Sequence, residues 1–478
     1  MTGKKKLVLL NPATRGGLAG LAHSDAQKHP ALGLAAVAGL TPDDWEVVIE
    51  DELWTPARFH ADATLVGATA FTSTAPRAYE LLAEYRAAGI PTILGGIHAW
   101  ARSHEAVQHA GAILVGEAES VWHDVLADAV AFGYLHYIYE GGRAERFARP
   151  RYDLIDPRYE FNVAQFSRGC PMCCTFCSVP GFSGQTMRRN SAAAILDDLA
   201  QIAQQKVFVG DDNFYGHSAE DHRWAADMLL EIGRANLGKR FVIQASLDVA
   251  QDERLLEAAR FAGVKLILIG LEAGDVPGLQ SIGKRINLAA GGDRLDFSRI
   301  HARGMGVLGC YIFGLDTDTR ETMLARARWM IENTADCSQM TIATPLPGTP
   351  LYRRLERQGR LLHTDFPRDW QRYDLSQAVY VPQAFRSVAE FYDCLMECGE
   401  ICYCDEALKG MAQRTRAAAG FEAAAWAYTA NQKYADSAMS HKAWWLANRG
   451  GAEGARGRCG DTETLGHGDA ERLPVEVA

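Results

Sequence analysis

Cys170, Cys174 and Cys177 stand in the run Arg168-Gly-Cys-Pro-Met-Cys-Cys-Thr-Phe-Cys177, a Cys-x3-Cys-x2-Cys triplet. Loops this short forbid the geometry of disulfides among the three. The thiols can instead converge on one soft metal centre. A four-iron cluster held wholly by protein takes four cysteines; three leave one iron open to a ligand from outside the chain. A structural zinc site wants four ligands in two knuckles, and no second knuckle or His pair lies nearby. A metal-free cysteine-rich loop is the bland alternative. Cys173 falls off the triplet's spacing and reads as a bystander.

With Phe176 before the last cysteine and Arg168-Gly169 before the first, the triplet resembles the radical S-adenosylmethionine (SAM) superfamily. The resemblance implies a [4Fe–4S] cluster on Cys170, Cys174 and Cys177 that binds SAM, reduces it and releases a carbon radical. It also implies an electron donor such as flavodoxin or ferredoxin.

The elements around the triplet must position it. From about residue 161 to 361, strand then helix repeats six times: Val207–Gly210, Phe241–Ser246, Val264–Gly270, Gly306–Gly314 and Gln339–Thr344 follow the strand leading into the cluster loop. Six such units make a partial (β/α)6 barrel, whose active residues gather at the carboxyl ends of the strands. Those ends carry Asp211 and Asp212, then Ser246 and Asp248, then Glu272, then Gly309, Gly314 and Asp316. Asp211-Asp212-Asn213 is also a good turn and N-cap sequence. Lys284 or Arg285 could pair with Glu272 as a purely structural bridge. The resemblance implies that Asp211 and Asp212 border SAM and that Glu272 faces its ribose or the substrate. It also implies that Ser246 and Gly314 belong to the cofactor site, and Thr344-Pro-Leu-Pro-Gly-Thr-Pro350 matches a signature of one branch.

Upstream, Lys6–Asn11, Trp45–Glu50, Ala63–Ala68, Pro91–Gly96 and Ala112–Gly116 are short apolar strands separated by helical patterns such as 75–88 and 120–131. The alternation predicts a doubly wound, Rossmann-like parallel sheet, with ligands at the carboxyl ends of its strands. Pro30–Ala36, Leu94-Gly-Gly-Ile-His98 and Val115-Gly-Glu-Ala-Glu119 resemble the cobalamin-binding domain that precedes many radical SAM enzymes. Thr72, Ser73, Gly95, Gly96, His98, Gly116 and Glu117 are the expected cofactor-facing residues. The Asp-x-His-x-x-Gly run that supplies a lower-face histidine elsewhere is absent. A flavodoxin-like domain that binds nothing is the structural alternative.

Residues 1–145 are thus expected to form the cobalamin-binding-like domain and 146–365 the barrel. Residues 366–446 should be mostly helical, and 447–478 a disordered tail rich in Gly, Arg and Glu. Trp370, Tyr373 and Tyr380 are candidate pocket walls. Cys394, Cys398 and Cys402 recur at helical spacing, as buried free cysteines or, less simply, a second cluster.

The formal charge of −10 provides no general basic surface and speaks against nucleic acid. No apolar run approaches the ~18 residues of a membrane span. Eleven cysteines without a signal peptide point to the reducing cytoplasm. The expected function is cobalamin-dependent C-methylation of an unactivated carbon in a small-molecule or lipid substrate. The alternative is a radical SAM cyclase, rearranging or other bond-forming enzyme that uses its first domain differently.

Overall fold

The computed structural model describes residues 4–14, 28–290, 295–332 and 335–452. Six strands form the first sheet: β1 (Lys5–Asn11), β2 (Trp45–Asp51), β3 (Leu65–Thr69), β4 (Thr92–Gly95), β5 (Ala112–Val115) and β6 (Ile138–Glu140). All pair in parallel, in the order β2-β1-β3-β4-β5-β6. Alternating side chains serve two cores. Val8, Leu10, Val66, Leu94 and Ile113 pack on one face; Leu7, Leu9, Leu65, Ile93 and Leu114 pack on the other. Burial on both faces explains why these strands read as continuous apolar runs. The strand order reverses between β1 and β3, and crevices in such sheets open there. Asn11 and Thr69 end those two strands. The sequence reading had five strands here; β6 is too short and too exposed to show an apolar pattern.

The cluster run is flanked by β7 (Phe161–Ala164), β8 (Ser167–Arg168) and β9 (Arg188–Arg189), the last two an antiparallel clip. Then come β10 (Lys206–Val209), β11 (Arg240–Ala245), β12 (Val264–Glu272), β13 (Gly306–Phe313) and β14 (Cys337–Ile342). The second sheet is parallel throughout, in the order β14-β13-β12-β11-β10-β7. Stepwise winding in one direction curls it into a partial barrel of six strands. Val207, Val209, Phe241, Ile243, Ile267 and Val307 face the surrounding helices, while Phe208, Val242, Leu266, Leu268 and Leu308 face a cavity.

Three helices close the molecule: Val388–Tyr403, Asp405–Ala419 and Phe421–Ala452. They cap the edge strand β14 with side chains. Asn431 Oδ1 accepts from Ser338 N at 3.0 Å, and Tyr403 donates to Ser338 O at 2.8 Å. The bare edge of a sheet, otherwise open to stray pairing, is thereby covered. The last helix runs beyond residue 446 to Ala452; the rest of the expected tail lies outside the described residues. Cys394, Cys398 and Cys402 are buried in the main core. Trp370 and Tyr373 are core residues packed with Tyr352 and Val379, not pocket walls. Tyr380 likewise is buried, its hydroxyl donating to Gly314 O. No helix among the described residues is long and apolar enough to cross a membrane.

Candidate active site

The cluster loop is held from three sides. Asp211, wholly buried at the end of β10, accepts from Phe166 N at 2.7 Å and from the Ser167 hydroxyl at 2.6 Å. Asp212 accepts from Gly169 N at 2.8 Å. Both carboxylates therefore clasp the strand that delivers Cys170. Burial pushes Asp211 up to about 7 despite those donors, and pushes Asp212 upward too. The Asp211 carboxylate, expected beside SAM, is engaged by the loop that delivers Cys170. From the N-terminal domain, Glu117 reaches Arg188 at 2.8 Å and Arg168 at 3.0 Å, and Glu119 reaches Arg168 at 2.9 Å. From the barrel, Ile282 O accepts from Thr175 N at 2.9 Å.

Burial raises all three cluster thiols, Cys177 to about 12. Bare thiolates would be costly here; iron bound at these three residues would supply the positive charge that keeps them deprotonated. Among the described residues no three His, Cys, Asp or Glu side chains converge as ligands of a single ion do. A [4Fe–4S] cluster would not require that, because each cysteine would hold a different iron. Cys173 is exposed, its sulfur beside Gln185 Nε2 at 3.3 Å.

At the end of β12 the chain bulges: register with β13 shifts between Gly270 and Glu272, and Glu272 takes φ 61°. Its carboxylate pairs with the buried Lys284 ammonium at 2.8 Å. Burial opposes the charge on Lys284, but Glu272 and Cys174 outweigh it and hold its pKa above the ordinary lysine value. The structural alternative for Glu272 is thus realised. At the end of β11, Ser246 Oγ and Asp248 Oδ1 are buried polar atoms with no partner among the described residues. Such orphans fit a polar ligand.

Several residues expected at the cofactors make contacts within the protein. His98 is fully buried; its Nε2 lies 3.0 Å from the Tyr79 hydroxyl and its ring meets Trp370 edge-on at 5.5 Å. Burial lowers its pKa against the pull of Glu105. Gly96 has φ 91°, and a Cβ there would sit 2.7 Å from Thr69 Oγ1. A Cβ at Gly116 would meet Gly141 O at 2.2 Å. Gly314 donates its N–H to Asp318 at 2.9 Å and gives its carbonyl to Tyr380. Glu117 is the loop's anchor described above, and Thr72 is buried. Gly95 ends β4 away from the cavity lining, whereas Ser73 lines it.

That cavity, about 1350 Å³, joins the two domains. Asn11 to Thr14, Thr69, Ser73 and Thr74 line it from the sheet's switch point. Phe208, Leu266, Leu268 and Leu308 line it from the barrel lumen, and Trp426, Lys433 and Tyr434 from the last helix. The C-terminal share was illegible in the sequence, since a helix that plugs a barrel carries no motif. His29, Phe161 and Lys206 also reach the cavity and were missed; they sit at strand starts and loop ends that have no composition signal.

Residues 164–330, which carry the clasped triplet at the carboxyl end of the partial barrel, match the radical SAM superfamily. Over 401 residues the chain is 26% identical to bacteriochlorophyllide d C-12(1)-methyltransferase of Chlorobaculum tepidum, covering 80% of this chain and 83% of the relative. It is 31% identical to hopanoid C-2 methylase of Rhodopseudomonas palustris over 229 residues, 46% of this chain and 42% of the relative. The radical SAM methyltransferase TsrM of Kitasatospora setae, solved with cobalamin and a [4Fe–4S] cluster, shares the fold. Its TM-score is 0.62 at 15% identity, covering 92% of this chain and all of TsrM.

Proposed function

We propose that the chain is a cobalamin-dependent radical SAM C-methyltransferase acting on an unactivated carbon of an apolar substrate. The cavity carries this reading: it connects the switch point of the first sheet, where a flat cofactor would lie, to an apolar barrel lumen. Cys170, Cys174 and Cys177 would hold the cluster, and Ser246 and Asp248 would meet SAM with their unpartnered oxygens. Asn11 to Thr14, Ser73 and Thr74 would face the corrin. When bound, these groups supply reductive cleavage of SAM and a transferable methyl group. The chain's own work is orientation and exclusion of water. Asp211, Asp212 and Glu117 fix the cysteine loop, while Leu266, Leu268 and Leu308 present a dry wall to the substrate. The electron would come from a flavodoxin- or ferredoxin-type donor, and the cytoplasm is the compartment that suits exposed thiols such as Cys173.

The test is product balance. One radical and one methyl per turnover give 5′-deoxyadenosine and S-adenosylhomocysteine in about equal amounts, and label from the SAM methyl carbon appears in the substrate. 5′-Deoxyadenosine formed with substrate but without matching S-adenosylhomocysteine would leave the cyclase or rearrangement reading standing instead.

A further inference from the structure

The Lys284–Glu272 pair is built with unusual care for a salt bridge. Glu272 holds a left-handed backbone conformation, which is strained for a residue with a Cβ and persists only when the surroundings enforce it. Asn287 enforces it, donating from Nδ2 to Gly270 O at 2.9 Å and Leu271 O at 3.2 Å. Gly270 leaves room for the pair: a Cβ there would lie 2.3 Å from Glu272 Oε1 and 2.8 Å from Lys284 Nζ and would push the two side chains aside. Lys284 itself is fixed to the cluster loop by backbone. Ile282, two residues earlier, accepts from Thr175 N, and Gly283 approaches Cys173 O. Bulge, glycine and asparagine thus serve one outcome, an ammonium held on the cysteine loop.

Ile282 O and Gly283 lie against Thr175 and Cys173, so the pair is carried on the stretch of loop between Cys173 and Cys177. The surroundings there are poorly solvated, and charges act strongly in such places.

We infer that Lys284 is a positioning residue that sets the reduction potential of the cluster on Cys170, Cys174 and Cys177, with Glu272 holding it in place and partly offsetting its charge. The inference rests on the proposed cluster assignment. The step concerned is the passage of one electron to the cluster, [4Fe–4S]2+ becoming [4Fe–4S]1+, with no bond or proton transferred. The added negative charge is stabilised by a nearby ammonium, so the ammonium makes reduction easier.

The test is an EPR-monitored redox titration of the anaerobically reconstituted full chain without SAM. Titanium(III) citrate serves as the donor, oxidised to titanium(IV) as each cluster takes one electron. Lys284→Met should lower the equilibrium constant for reduction about tenfold, a shift of about 59 mV to more negative potential for a one-electron couple. Glu272→Gln should shift it the other way, and Lys284→Arg should stay near wild type. Potentials unchanged in Lys284→Met and Glu272→Gln, or moved in the same direction in both, would overturn the inference. If Lys284→Met fails to retain iron, Glu272→Gln decides alone by the sign of its shift. Loss of iron in all three variants would show that the pair merely holds the loop, and would also overturn it. Failure of the cluster assignment looks different: wild type itself would give no four-iron signal.

Discussion

At the scale of single residues, carboxylates placed beside a cofactor loop turn out to hold the loop. Asp212 accepts from Gly169 N, one residue before Cys170. Asp212→Ala should therefore lower iron incorporation to well under half of wild type, measured as iron per chain after anaerobic reconstitution. Cys173→Ala should leave it unchanged, because that thiol points to solvent. A drop in SAM affinity at full iron content would return Asp212 to the cofactor. His98 offers a second readout. It is buried and uncharged, its pKa lowered below the ordinary value near 6.5. As pH falls through 6.5 the unfolded chain takes up a proton that the folded chain refuses, so stability falls with pH. One such proton corresponds to a slope of at most about 1.4 kcal/mol per pH unit. Urea midpoints from pH 7.5 to 5.5 should fall less steeply in His98→Gln than in wild type.

At the scale of elements, the loop between β8 and β9 is fastened to the end of β5 by Glu117, Arg168 and Arg188, whose side chains are only 14–15% exposed. Removing the central carboxylate leaves the mostly buried Arg188 guanidinium without a charged partner, held only by the Ala144 and Ser183 carbonyls. Glu117→Ala should cost about 2 kcal/mol, the range for leaving buried charged donors unpaired, read as a lower denaturant midpoint of the cluster-free protein. An equal loss in Glu119→Ala would mean that the network has no centre. Much of this architecture was legible beforehand. The runs 6–11 and 264–270 announced buried strands because both of their faces meet apolar neighbours, and the triplet announced the loop. What was not legible is which polar end-groups turn inward. Gly96, Gly116 and Gly314 read as ligand contacts because glycine marks close approach, but sequence cannot say whether the approaching atom belongs to a cofactor or to Thr69, Gly141 and Phe391. The guanidinium partners of Glu117 lie 51 and 71 residues away, a separation that no local motif reveals.

At the scale of the whole molecule, the chamber belongs to no single domain. The first sheet contributes its switch point, the barrel its inward-facing side chains, and the last helix its Trp426, Thr429 and Lys433 face. This division gives each wall a separable task. The cysteine loop and the orphaned oxygens of Ser246 and Asp248 lie at the strands' carboxyl ends, whereas Leu268 and Leu308 lie further back in the lumen. Enlarging a lumen residue should then obstruct the substrate's body without touching SAM. In Leu268→Trp, iron content and the slow substrate-free release of 5′-deoxyadenosine should match wild type, while substrate-dependent S-adenosylhomocysteine formation falls at least tenfold. The bulky ring occupies space that an apolar substrate would fill. If methylation were instead unchanged while the substrate-free release fell, the lumen would be part of the SAM site, and the substrate would have to enter from the sheet side alone.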